Sequence, residues 1–123
     1  MFTEVAITIG SVIVLISSFL QLLSAVGIIR FPDFYVRLHA ATVSAIGGSL
    51  LAIALGSPLV ILGSSGLTQE SLINVARCLL TALILFVAAS TGSHVLARAS
   101  YLSEKVAPQK LVVDELKERL EER

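Results

Sequence analysis

Three long stretches of this chain contain no Asp, Glu, Lys or Arg, and they limit its fold more than any other feature. A helix that crosses the roughly 30 Å hydrocarbon core of a bilayer needs about 20 apolar residues, and each stretch reaches that length. Because the bilayer core offers no water to the backbone, a spanning segment forms its own hydrogen bonds as a helix. The sequence therefore predicts an all-α membrane protein whose membrane domain, residues 1–97, contains three transmembrane helices at about residues 5–29, 40–62 and 72–97.

The composition agrees with a membrane location. Apolar residues make up 55% of the chain and charged residues 15%, whereas a soluble domain has about 45–50% and about 25%. The formal net charge is zero, which gives no electrostatic basis for binding nucleic acid. A single cysteine, Cys78, cannot form a disulfide within the chain.

The ends of the predicted spans carry recognisable signals. The first stretch follows the acidic residue Glu4 and is too long for the apolar region of a signal peptide, so we expect a retained span. The second stretch ends in Gly, Ser and Pro residues, including Pro58, and its helix is predicted to stop near residues 55–62. Thr68 is expected to cap the third helix, with Glu70 near its positive end.

The distribution of Lys and Arg predicts the orientation in the membrane. The N-terminus and the second loop contain only Arg77, whereas the first loop contains Arg30 and Arg37 and the C-terminal region contains the rest. Positively charged loops stay in the cytoplasm. We therefore expect the N-terminus outside and both the first loop and the C-terminal tail in the cytoplasm.

The charged cytoplasmic tail, residues 98–123, contains as many basic as acidic residues. After Pro108, apolar residues recur at helical spacing at Val113, Leu116 and Leu120. This pattern predicts an amphipathic tail helix that is solvated or weakly interfacial, or that docks on a cytoplasmic loop of a partner.

Small and weakly polar residues recur on one face of each predicted span. Such faces let helix backbones approach closely in lipid and mark packing interfaces. They are Gly10, Ser17, Gln21 and Ser24 in the first span, Gly48, Ala52 and Gly56 in the second, and Cys78, Ala82, Ala89 and Gly92 in the third. They indicate either packing among the three helices or, since three helices can hide only part of these faces, contact with a partner protein.

The spans lack the groups that carry ions or perform catalysis. None contains a central carboxylate or lysine, so the chain is not expected to carry ions by itself. His94 and Arg98 lie near the cytoplasmic end of the third span, where His94 is either an interfacial hydrogen-bonding group or a proton relay. No phosphate-binding loop, zinc-ligand spacing or nucleophile–base pair is present, so we expect no enzyme activity, cofactor or metal site.

The first cytoplasmic loop contains the densest set of functional side chains. Pro32 suits a tight turn, and Asp33 can cap a helix that begins at Phe34. One interpretation is an interfacial turn with an Arg37–Asp33 pair and a Tyr35 anchor. The other is that Asp33, His39 and Thr42 line the mouth of an ion path built with other chains. The candidate assembly or ion-path residues are Arg30, Pro32, Asp33, Tyr35, Arg37, His39 and Thr42.

This loop, GIIRFPDFYVRLHAAT from Gly27 to Thr42, resembles the signature of the G subunit of Mrp-type multisubunit Na⁺/H⁺ antiporters. The similarity extends over nearly the whole membrane part, through Gly47 and on to residues 94–101 at the end of the third helix. The resemblance implies a small accessory protein in the bacterial plasma membrane, in a complex with the A to F subunits that transports Na⁺ and H⁺. It further implies contact with the small E and F subunits beside the large A subunit, near a sodium route.

Two residues depart from the family pattern. Val43 stands where the family has a basic residue, and Ser90 stands where it has a proline in the third helix. A serine bends a helix only mildly, by bonding to a preceding carbonyl. We therefore expect no proline kink in the third span.

Two other classes of small membrane protein fit parts of the pattern. A phage-type holin also has three spans and a charged tail, but its tail tends to be basic, and hole formation does not require the Arg30–Thr42 loop. A small multidrug exporter has a fourth helix and a glutamate within the first helix, and both are missing. The favoured prediction is an antiporter subunit, with the holin as the alternative.

Overall fold

The computed structural model describes residues 1–103, which are helical apart from short connections. The α-helices are α1 (Phe2–Arg30), α2 (Phe34–Val43), α3 (Ser57–Ser65) and α4 (Gln69–Leu102), and two π-helical segments, Ser44–Leu50 and Ala52–Gly56, join α2 to α3. Three of the resulting helical segments are long and apolar enough to cross a membrane: Phe2–Arg30, Phe34–Ser65 and Gln69–Leu102. The predicted all-α fold with three spans is confirmed. The predicted tail helix lies outside the described residues.

The second span, Phe34–Ser65, is a continuous helix that changes its hydrogen-bond spacing on the way. The Leu51 N–H donates to Ile46 O and the Ser57 N–H donates to Ala52 O, which are the five-residue steps of a π-helix. The widened turn at Ala52–Gly56 ends two residues before Pro58, a residue that lacks an N–H and crowds the preceding turn. The helix therefore continues through Pro58 to Ser65 and does not stop near residues 55–62.

The second span lies in the middle of the molecule. It packs against α1 on one side and α4 on the other, while α1 and α4 make no close backbone approach to each other within residues 1–103. Within residues 1–103 the helices therefore form a row, with the second span in the middle, and not a closed bundle. It leaves much of α1 and α4 exposed, including Leu15, Phe19, Leu22, Leu80 and Leu83, which suits contact with lipid.

The contact between α1 and the second span depends on glycine. A Cβ atom built on Gly10 would lie 2.9 Å from the carbonyl oxygen of Gly56, and one built on Gly63 would lie 3.1 Å from that of Thr3. Such distances leave no room for a side chain between the two backbones. Gly56 itself belongs to the second predicted packing face, so these two helices meet through small residues from both sides.

The turn between the second and third spans is closed by a capping box. Gly66 adopts a φ of 65°, a conformation that favours glycine, and ends α3. The Ser71 N–H donates to the Thr68 hydroxyl at 3.2 Å, and the Thr68 N–H donates to the Ser71 hydroxyl at 2.9 Å. The predicted cap at Thr68 is confirmed, and Glu70 lies in the first turn as expected.

Replacing Thr68 with alanine should destabilise the start of α4 by about 1 kcal/mol, because the Ser71 N–H loses its acceptor. Hydrogen exchange of the purified protein in detergent should show faster exchange for the first amides of α4. Thr91→Ala is the matched control, since Thr91 is exposed within α4 and caps nothing. Equal exchange in the two variants would contradict the capping role.

Candidate functional site

The turn between the first two spans is held by its own backbone and by Arg37. The Phe31 N–H donates to Gly27 O at 2.9 Å and thereby ends α1. The Nε of Arg37 donates to Phe31 O at 2.5 Å, across the turn. Within the described chain the Arg37 guanidinium therefore bonds a backbone carbonyl, and the predicted Arg37–Asp33 pair does not form. The charge of Arg37 stabilises the turn directly.

Asp33 begins the second span as predicted. Its Oδ1 accepts the Tyr35 N–H at 3.3 Å, and α2 starts at Phe34. The ring of Tyr35 meets that of Phe34 edge-on, with centroids 5.8 Å apart. The Tyr35 hydroxyl is buried and has no hydrogen-bond partner within residues 1–103. Asp33 thus serves as a local cap, while Tyr35 presents a buried polar atom without a partner in the described chain.

Close packing also fixes the angle at which the chain enters the second span. A Cβ atom on Gly27 would lie 2.9 Å from the Phe31 ring and 3.2 Å from the Cβ of Ala40. Both Gly27 and Ala40 are buried. The end of α1 therefore lies directly against α2, and Arg30 and Pro32 lie at the exposed rim of this contact.

The remaining candidate residues spread along the helices and do not converge. Thr42 contacts α4, because its hydroxyl lies 3.3 Å from that of Ser93, and it also donates to Leu38 O at 2.9 Å. Asp33 and Thr42 are nine residues apart, or about 13 Å along a helix. His39 is exposed, as are His94 and Arg98 on α4. The structure does not assemble Asp33, His39 and Thr42 into one compact site.

A groove lies between the second span and α4 beside the Thr42–Ser93 contact. Its volume is about 460 Å³. Most of its lining residues are small: Ala41, Ala45, Ala88, Ala89, Gly92, Ser93 and Ala99, with Leu38, Val95 and Leu96. A Cβ atom on Gly92 would meet nothing within 4 Å, so the third predicted packing face remains partly uncovered by this chain.

A polar cluster in the membrane, which we call the Gln21 cluster, consists of Gln21, Ser44 and Ser49. The Gln21 Nε2 donates to the Ser49 hydroxyl at 2.7 Å, and the Ser44 hydroxyl donates to the Gln21 Oε1 at 3.0 Å. Gly48 makes room for this arrangement, since a Cβ atom there would collide with the Gln21 side chain. Helical spacing places Gln21 on a packing face, but it does not identify Ser44 and Ser49 as its partners.

The π-helical turn explains why helical spacing misses these partners. In an α-helix, residues five apart lie about 140° apart around the axis, which places Ser44 and Ser49 on different faces. The π-helical segment Ser44–Leu50 pairs residues five apart, so both hydroxyls reach Gln21. The adjacent Gly47 and Gly48 are the available signal, since glycine and serine pairs are among the places where helices depart from regular geometry.

A known protein family matches most of this chain. Residues 13–101, which include the turn, the Thr42–Ser93 contact and the Gln21 cluster, match the family PhaG_MnhG_YufB, described as Na⁺/H⁺ antiporter subunit. The chain belongs to this antiporter subunit family. It is therefore a small accessory membrane subunit of the G type, from a family of transporters and not of enzymes.

Individual relatives extend the match over nearly the full chain. The chain is 39% identical to the G subunit of the Na⁺/H⁺ antiporter of Alkalihalophilus pseudofirmus, over 92% of this chain and 89% of that protein. It is 31% identical to the G1 subunit of the Na⁺/H⁺ antiporter of Staphylococcus saprophyticus, over 98% of this chain and 96% of that protein. With relatives of this kind, the holin alternative is not favoured.

A solved structure supports the same fold. The chain is similar to one chain of the membrane-bound sulfane sulfur reductase, an archaeal respiratory membrane complex, with a TM-score of 0.67 and 31% identity. The similarity covers 94% of this chain and 99% of that chain. A chain of this fold therefore also occurs in a respiratory membrane complex.

Proposed function

We propose that this G-type subunit supports the assembly of a multisubunit Na⁺/H⁺ antiporter in the bacterial plasma membrane, next to the small E and F subunits and the large A subunit. The observation that carries the proposal is that three long stretches of the chain contain no charged side chain. The stretches 5–29, 40–69 and 78–97 contain no Asp, Glu, Lys or Arg. Because ion carriers place such groups at membrane depth, partners supply the ion-binding groups.

The turn between the first two spans contributes to assembly in this proposal. Asp33 caps α2 and Arg37 bonds the Phe31 carbonyl, so both charges serve the local fold. With the N-terminus outside, as the Lys and Arg distribution predicts, the turn faces the cytoplasm. Its exposed residues Arg30, Pro32 and His39 then offer a rigid surface to neighbouring subunits.

The sodium route belongs to the complex and passes beside this subunit. Within the stretches 5–29, 40–69 and 78–97 the spans offer only neutral oxygens to a cation, such as those of Gln21, Ser44 and Thr42. A dehydrated cation in a membrane is held more readily by a carboxylate. This chain therefore shapes a wall of the route while its partners provide the charge.

The proposal is tested by purifying the antiporter complex with and without this subunit. Vesicles that contain the complete complex should exchange Na⁺ for protons, and vesicles without the subunit should lose this exchange. A host that depends on the complex should lose Na⁺ tolerance in parallel. Unchanged exchange without the subunit would refute the proposal, and lysis of cells that express this chain alone would favour a holin.

A further inference from the structure

We propose that a membrane-spanning helix of another protein covers the Gln21 cluster and hydrogen-bonds to it through a side-chain oxygen. The inference rests on the proposed function, because a subunit of a complex meets other subunits within the bilayer. The covered surface lies on α1 and on the π-helical segment Ser44–Leu50.

The depth of Gln21 makes its polarity costly. It lies nine residues before Arg30, or about 13 Å along α1, which places it near the middle of a hydrocarbon core about 30 Å thick. Its side chain is exposed on the surface of this chain. A polar group that faces lipid at this depth finds no water, so it is retained only where another group meets it.

The hydrogen bonds within the Gln21 cluster leave two of its donors without an acceptor in the described residues. One Gln21 N–H donates to Ser49, and the Ser44 O–H donates to Gln21. In the part of the chain that the structure describes, no acceptor contacts the second Gln21 N–H or the Ser49 O–H. Exchanging the amide oxygen and nitrogen still leaves one amide N–H and one hydroxyl unpaired. Two free donors require acceptor oxygens from a partner.

The surface beside Gln21 has room for a helix. Ser11, Ser18 and Ala25 follow one another at seven-residue spacing on α1, all are exposed, and we call them the Ser18 seam. The Ser18 hydroxyl is satisfied by its own helix through Val14 O, at 2.9 Å. The seam therefore presents small side chains, which permit close approach, whereas large apolar residues cover much of the remaining exposed surface of α1.

Site-specific photocrosslinking in the intact complex tests the inference. A benzophenone side chain replaces Leu22, which is exposed, follows Gln21 and flanks the Ser18 seam. Ile16 is the matched control, because it is also exposed but lies on the side of α1 away from the seam. We expect the Leu22 position to crosslink to another membrane protein at a yield at least about fivefold above that of the Ile16 position, since a benzophenone reacts only with what it touches.

Substitutions then test the hydrogen bonds. Gln21→Leu and Ser49→Ala should each lower the crosslinking yield by about three- to thirtyfold, the range for a hydrogen bond between membrane helices. Ser64→Ala is the control, since Ser64 bonds its own helix at Ile61 O, at 3.1 Å, away from the cluster. If Gln21→Leu lowers the thermal stability of the subunit, the crosslinking yield of Ser49→Ala alone tests the hydrogen bonds.

Several outcomes would overturn the inference. They are crosslinks only to lipid or to a second copy of this chain, equal yields at Leu22 and Ile16, and yields that do not respond to Ser49→Ala. The two proposals fail separately. Exchange that persists without the subunit refutes the proposed function, whereas a Leu22 crosslink to any other membrane protein still supports this surface.

Discussion

Gly10→Leu is expected to separate α1 from the second span and to lower the free energy of unfolding by about 3 kcal/mol, the upper part of the range for overpacked cores. The reason is that one of the two nearest obstacles is a backbone atom, which cannot rotate away. A Cβ atom on Gly10 would lie 2.9 Å from the Gly56 carbonyl oxygen and 2.8 Å from the Val60 side chain. Val60 can rotate, but the Gly56 carbonyl moves only if the two helices move apart.

Gly92→Leu is the matched control for this experiment. Gly92 also lies within a membrane span, but a Cβ atom there meets nothing within 4 Å. Thermal unfolding of the purified subunit in detergent should show a lower midpoint for Gly10→Leu and an equal or higher midpoint for Gly92→Leu, since leucine is the better helix former. Equal midpoints would show that glycine at position 10 is not required for the close contact.

The two caps can be predicted from the sequence because cap chemistry is local. Asp33 and Thr68 each stand directly before a helix and bond an N–H two or three residues later. Neither interaction depends on how the spans pack. The family signature around Asp33 is equally local, and the family match confirms it.

The packing of the spans cannot be predicted in this way. The small-residue faces of the three spans look alike, and the sequence does not show which face meets which. The structure places Gly10 and Gly63 against their neighbouring helix, but it leaves Gly92 open. Within the described residues the spans form a row, in which α1 and α4 each contact the second span but not each other. It is the arrangement that exposes Gln21 and the groove beside Ser93.

The π-helical segments also cannot be predicted from the spacing of apolar residues. Helical patterns are read at 3.6 residues per turn, and a π-helical turn shifts every later residue around the axis. For that reason helical spacing does not show that Ser44 and Ser49 both reach Gln21, as they do in the structure. Functional residues in membrane helices are hardest to predict where the backbone departs from the α-helix.

Asp33→Ala is expected to reduce the amount of assembled complex several-fold, whereas Asp33→Asn should leave assembly and Na⁺-dependent proton exchange unchanged. Asparagine caps a helix about as well as aspartate, but alanine leaves the Tyr35 N–H without its acceptor and costs about 0.5–2 kcal/mol. The pair of variants therefore separates the cap from the negative charge. Complex yield is measured by affinity purification, and exchange is measured per purified complex in vesicles.

The outcome decides between the two interpretations of the turn. Glu4→Gln controls for the loss of any carboxylate, since Glu4 lies at the other end of α1. If Asp33→Asn assembles but loses exchange while Glu4→Gln retains it, the Asp33 carboxylate acts on the ion path and the assembly role is wrong. Normal yield of Asp33→Ala would show that the cap is dispensable. Because Asp33 bonds only its own helix in the described chain, we expect the Asp33 variants to differ in the yield of assembled complex and not in the exchange per purified complex.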